Sequence, residues 1–138
     1  MSSPPAMQAK PPVNSARVPY LDFAEDFVGV ISRGEKRATT RCPGPKDTDV
    51  TSDLDAVIAQ GWALATAGGR SSFALLAVDR VERRALAEVD DSLAQEEGLH
   101  TGDELRSTLQ RFYPELAADD VVTVVHFQLL KLIPAAGG

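Results

Sequence analysis

Cysteine is almost missing: Cys42 is the single one in 138 residues, so no disulfide forms within the chain and a small oxidised scaffold is excluded. A cytoplasmic or nuclear location is the expectation. Long apolar runs are missing too. The longest apolar tract, Val121 to Ile133, is broken by Thr123, His126, Gln128 and Lys131, whereas a bilayer span takes about 20 apolar residues in succession. No membrane partner is expected. The opening MSSPPAMQAKPPVNSA has neither the apolar core of a signal peptide nor the arginines of a transit peptide. Cys42, His100 and His126 show none of the paired spacings of a structural zinc site, so neither a metal nor another cofactor is expected. Basic residues are also few. Lys and Arg number 14 against 20 Asp and Glu, a net charge of −6, which excludes broad phosphate neutralisation as a binding mode.

What is present fits one α+β domain. Hydrophobic residues make up 43% and charged residues 25%, enough apolar surface for a single core at this length. Residues 1 to 17 carry Pro4, Pro5, Pro11 and Pro12 with few large apolar groups and are expected to form a disordered tail. The folded domain is expected over 18 to 133, with a flexible C-terminus at 134 to 138.

From Leu21 to Arg33, Ala24, Phe27, Val28 and Ile31 fall at helical spacing and predict a helix. Gly34 follows, a residue suited to a helix C-terminus. The threonines of KRATTRC predict a short strand, closed by Pro43-Gly44-Pro45. LDAVI, within DTDVTSDLDAVIAQG, reads equally as a helical turn or as a strand. Trp62 to Thr66 and Ser72 to Arg83 flank Ala67-Gly68-Gly69-Arg70 and predict a hairpin. Ser92 and Gln95, then Thr101 and Glu104, have capping-box spacing and predict two further helices. The first ends at Gly98; the second places Leu105, Leu109 and Phe112 on one face and stops at Tyr113-Pro114. VVTVVHFQLLKLI reads as a long, mostly buried strand. The order gives a small β-barrel decorated by helices.

The basic residues are concentrated. Arg33, Lys36, Arg37 and Arg41 lie within nine residues of an otherwise acidic chain, so a local basic cleft is compatible with the net charge.

Three segments together resemble the ASCH family, a PUA-like group. They are a GxKxxTxR pattern, here Gly34, Lys36, Thr39 and Arg41, the tract AQEEGLHTGDELRSTLQRFYP, and the closing VVTVVHFQL. The resemblance spans roughly Val18 to Leu132 and implies a PUA-like β-barrel with a cleft beside the GxKxxTxR loop for an RNA element or a nucleoside. Small bacterial members that are similar in all three segments remove the acetyl group from acetylated cytidine. By that resemblance the catalytic set is Lys36, Thr39 and Glu97, with Arg41 orienting a substrate carbonyl or phosphate. The sequence departs from the family between Cys42 and Trp62, where the usual Gly-Asp turn and following apolar strand are missing.

The chemistry asks for those residue types. A threonine hydroxyl attacks an amide only when a base takes its proton, and a desolvated lysine serves as one. A carboxylate can then hand a proton to the departing amine. In a regular strand Thr39 and Arg41 share a face while Lys36 points away, so the set needs a turn at Lys36, for which Gly34 is suited. By residue type alone Lys36 and Arg41 read as solvated charges, Thr39 as a strand threonine and Glu97 as a helix-end glutamate. Glu96 beside Glu97 leaves a one-residue alternative. His126, Trp62, Phe73, Phe127 and Cys42 read as core or half-exposed residues. A non-catalytic module that binds RNA, or a protein partner through the proline-rich tail, is the alternative to an enzyme.

Overall fold

Alternation from Val122 to Phe127 in strand β5 (Val121–Leu132) sorts its side chains between two cores. Val122 and Val124 pack with Ala38, Leu86, Leu93, Leu105, Leu109 and Leu116 on one face. Val125 and Phe127 pack with Leu21, Ile31, Val57, Ala65 and Leu76 on the other. A leucine so buried contributes roughly 1.5 to 3 kcal/mol, and two such faces explain why the strand reads as nearly continuous apolar sequence. The structure is a computed structural model that describes residues 18–42, 52–69 and 71–134. The expected tail at 1–17, the Pro43-Gly44-Pro45 cluster and residues 135–138 lie outside the described residues.

Around β5 the described chain runs β1 (Tyr20–Phe23), a 3-10 turn (Glu25–Phe27), α1 (Val28–Ser32), β2 (Ala38–Arg41), α2 (Leu54–Gln60), β3 (Trp62–Ala67), β4 (Ser72–Ala85), α3 (Asp91–Glu96) and α4 (Gly102–Phe112). The strands form one mixed sheet in the order β1-β3-β4-β5-β2. It is curled into a half-barrel, an α+β fold of the PUA-like type. β1 pairs with β3 in parallel; the other pairings are antiparallel. No described helix is long and apolar enough to cross a membrane.

Most of the expected elements are present, and the differences have local causes. The expected helix from Leu21 begins as a strand, because Leu21 and Phe23 are buried and alternate with half-buried Tyr20 and Asp22 while pairing with β3. Only its second half, α1, is helical, and of the four apolar residues read as its face Ile31 alone is fully buried. LDAVI is helical: Asp53 caps Ala56 N, and Gly61 ends the helix at φ 78°. The cap of α3 is Asp90, which accepts from Leu93 N at 2.9 Å, rather than the box at Ser92. Thr101 caps α4 as expected, accepting from Glu104 N at 3.1 Å. Phe112 is exposed and Tyr113 is buried in its stead, since the chain leaves the helix at Phe112 and the next residue turns inward.

Candidate functional site

Directly opposite residues of paired strands share a face, so the register of β2 on β5 fixes where its side chains go. Thr39 lies opposite Val125 and Thr40 opposite Val124, which puts the two threonines on opposite faces of the sheet. Thr40 faces the core under α3 and α4; Thr39 and Arg41 face the other, beside Phe23.

Lys36 precedes the strand. Gly34 at φ 75° ends the helical turn, and the amides of Glu35 and Lys36 both donate to Val30 O, at 2.9 and 3.1 Å. This is the turn the catalytic set required. The lysine side chain then runs inward, 2% exposed, to a carboxylate whose side chain is 5% exposed. Lys36 Nζ donates to Glu97 O at 3.0 Å and to Glu97 Oε1 at 3.4 Å, and it sits 4.6 Å from the centre of the Phe27 ring. Burial pushes the Lys36 ammonium down to about 8, with the Arg41 charge adding to the fall and the charge and hydrogen bond of Glu97 opposing it.

Glu97 stands at the C-cap of α3, followed by Gly98 at φ 84°. Its second oxygen accepts a short hydrogen bond from Thr40 Oγ1. The structure therefore brings Lys36 and Glu97 together, but the hydroxyl that touches the pair is that of Thr40. Sequence reasoning missed Thr40; the signal was the strand parity, which places Thr39 and Thr40 on different faces and allows only one of them to meet α3. Thr39 is buried as well, and its Oγ1 accepts from Arg41 Nε at 3.0 Å. Among the described residues, Thr39 and Lys36 share no hydrogen bond.

Arg41 spends its donors on the protein. Besides Thr39, it donates through Nη1 to Ser52 Oγ at 2.9 Å and through Nη2 to Asp22 O at 2.7 Å, with its guanidinium 5.1 Å from the Phe23 ring centre. Asp22 belongs to β1 and Arg41 to β2, the two edges of the sheet. One side chain thus joins the open edges of the half-barrel.

Of the residues read as core or half-exposed, Phe127 and Cys42 are buried and Phe73 packs at the edge of the second core. His126 is buried between two carboxylates, with Nδ1 3.0 Å from Glu96 Oε1 and Nε2 in a short contact with Glu82 Oε2. Glu96 and Glu97 thereby go to different partners. Among the described residues no group of three His, Cys, Asp or Glu side chains is arranged to hold a metal ion.

A curled five-stranded sheet with helices packed on both faces is similar in fold to solved ASCH domains. A protein of Enterococcus faecalis described by the family model DUF984 matches with a TM-score of 0.55 at 22% identity, over 75% of this chain and 66% of that one. An ASCH domain from Lactobacillus crispatus matches with a TM-score of 0.53 at 18% identity, over 80% of each chain. A variant of an ASCH protein from Zymomonas mobilis matches with a TM-score of 0.52 at 15% identity, over 83% of this chain and 71% of that one. The chain spans just under two thirds of the Enterococcus protein. The likeness is one of fold. No family model matches the sequence, and no curated protein does.

Proposed function

We propose that Lys36, Thr39 and Arg41 line a cleft that recognises a nucleoside or short RNA element and that the site hydrolyses an acyl-amide on it, as on acetylated cytidine. The observation that carries this reading is Lys36: a lysine held near about 8 by burial, next to a buried carboxylate, has a neutral fraction able to act as a base close to physiological pH. A purely structural lysine gains nothing from that. Thr39 Oγ1 forms the bond to the acyl carbon, and its proton passes to the Lys36 amine through a bridging water or substrate atom, since the two side chains share no hydrogen bond. The C–N bond then breaks, and the proton returns by way of Lys36 and Glu97 to the departing amine. Water hydrolyses the ester left on Thr39. Arg41 holds Thr39 by its oxygen, which leaves the hydroxyl proton to point at a base.

Incubation of the protein with acylated nucleosides, acetylcytidine first, followed by chromatography of the products tests the reading. Release of the free nucleoside by wild-type protein, and not by Lys36→Met, is the expected result. Binding of nucleosides without turnover of any acylated one supports the second reading, a non-catalytic RNA- or protein-interaction module with residues 1–17 as tether. What favours that reading is that Glu97 is already engaged by Lys36 and Thr40.

A further inference from the structure

A cleft of about 420 Å³ opens beside the Lys36 site, lined by Arg37, Asp79, Arg80, Glu96, His126, Phe127 and Gln128. Its size is that of a small-ligand site. Two of its residues, Arg37 and Glu96, are chain neighbours of the site already described. Lys36 and Glu97 turn into the buried pair, while Arg37 and Glu96 line the cleft. The two sites are therefore neighbours across one layer of backbone. That backbone is pinned: Arg37 N donates to Glu96 O, and Phe127 N donates to Arg37 O at 2.9 Å.

The composition of the wall depends on a single inserted residue. β4 and β5 pair at Val78 with Phe127 and next at Arg80 with His126, so Asp79 is the extra residue of a β-bulge. In an unbroken ladder Asp79 would stand opposite His126. The bulge replaces it with Arg80, exchanging a carboxylate for a guanidinium on the face of His126.

The acceptors of the cleft are consumed from within. His126, 4% exposed, lies with its two ring nitrogens against Glu96 and Glu82. Asp79 Oδ2 accepts from Gln128 Nε2 at 3.3 Å. Glu82 is further held by Arg84, whose hydrogen bond is the main reason its carboxyl lies below the ordinary range. The donors are not consumed in this way. Arg37 is exposed and has no carboxylate partner among the described residues, and Arg80 is 62% exposed with its nearest carboxylate, Glu82, at 3.6 Å.

We propose that the Arg37/Arg80 cleft is a phosphate subsite, so that the ligand of the Lys36 site is a nucleotide or a phosphodiester rather than a free nucleoside. The proposal rests on the reading of the Lys36 cleft as a nucleoside site. Two guanidinium groups offer the forked donors that match phosphate oxygens, while Glu96, Glu82 and Asp79 are each turned to a partner within the protein.

The test has two arms. In the first, inorganic phosphate is titrated into the full chain while the arginine Nε resonances are followed by NMR, with chloride at equal ionic strength as control. A saturable shift of Arg37 and Arg80, lost in R37Q and in R80Q, is expected; a shift that does not saturate, or that chloride reproduces, overturns the proposal. In the second, cytidine, its 3′-monophosphate and its 5′-monophosphate are compared by calorimetry. One monophosphate is expected to bind at least tenfold tighter than cytidine, and R37Q/R80Q to abolish the difference while leaving cytidine affinity in place. Monophosphates that bind no tighter than cytidine, or a preference that survives R37Q/R80Q, overturn it. Saturable phosphate binding at the cleft with monophosphates no tighter than phosphate itself likewise overturns it, in favour of a free anion as the ligand. Failure of the underlying reading looks different: cytidine then shows no binding that Lys36→Met removes, whatever phosphate does.

Discussion

Lys36 Nζ lies 3.0 Å from the main-chain oxygen of Glu97 and 3.4 Å from its Oε1, across 61 residues of sequence. The contact fastens the end of α3 to the turn that leads into β2. Both side chains are almost wholly buried, and a buried pair of this kind is costly to break by removing one partner, about 3 to 5 kcal/mol.

The first prediction concerns proton uptake at that lysine. Its folded-state value of about 8 lies below the ordinary 10.5, so between those two pH values the unfolded chain holds a proton that the folded chain has lost. Where the unfolded state binds more protons, stability rises with pH. This contribution is therefore absent below about pH 8 and grows through pH 10.5 to roughly 3 kcal/mol at 1.36 kcal/mol per pH unit. Acyl-amide hydrolysis should rise with pH through the same midpoint near 8, as the base form appears. The lysine side-chain carbon resonance followed by NMR, with K36M to assign it, reads the midpoint directly. A midpoint at the ordinary lysine value removes the base from the mechanism.

Thr39 and Thr40 should separate cleanly. Thr40→Val takes a donor from a buried carboxylate, and a hydrogen bond to a charged group is worth about 1.5 to 3 kcal/mol. Its thermal unfolding should fall accordingly. Thr39→Ala should leave the fold nearly intact and abolish hydrolysis; K36M should abolish hydrolysis too, but at the stability cost of leaving Glu97 without its buried partner. The double variant T39A/K36M should be scarcely less active than either single one, because residues that act as one unit are not additive. Loss of activity in T40V with retention in T39A would make Thr40 the nucleophile.

Arg41 joins β1 to β2, the two edges of the sheet, through Asp22 O and Ser52 Oγ. Arg41→Met keeps the stem over Phe23 and removes the donors, which leaves a half-buried carbonyl short of a partner at a cost of up to about 1 kcal/mol. Hydrogen exchange of the β1 and β2 amides should accelerate more than that of β4. Equal exchange in all three strands would show that the edges are held by other means.

The hairpin, the capped α4 and the long β5 were legible in the sequence because each rests on a local pattern: two glycines between apolar runs, Thr101 before Glu104, and twelve residues rich in valine and leucine. The strand at Tyr20–Phe23 was not, since four residues are too few to separate period 2 from period 3.6, and only pairing with β3 decides between them. In the site, Lys36 and Glu97 were legible through the resemblance. Their contact was not, because it joins segments that only the fold brings together. Thr40 was overlooked although strand parity pointed to it. The bulge at Asp79, which gives the second cleft its guanidinium, leaves no mark in composition: a one-residue register shift is a property of the ladder rather than of either strand alone.

The last prediction separates Glu97 from its neighbour. Glu97→Gln preserves the shape of the side chain and removes its charge. Since that charge opposes the lowering of Lys36, the pH midpoint of hydrolysis should move below its wild-type position near 8. The rate should fall at the same time, and more for amides than for activated esters, because an amine must be protonated to depart whereas an activated alkoxide leaves without it. Glu96→Gln is the internal control. Glu96 Oε1 faces His126 Nδ1 at 3.0 Å, and a glutamine amide there can hydrogen-bond the ring in either tautomer, so the lysine midpoint and the ratio of amide to ester rates should stay as in wild type. Measured pH profiles for an acylated nucleoside and a matched activated ester, in wild type and both variants, give all four quantities. Equal losses on amide and ester in E97Q would show that Glu97 only holds Lys36 in place, and a shifted ratio in E96Q instead would transfer the proton-donating role one residue back.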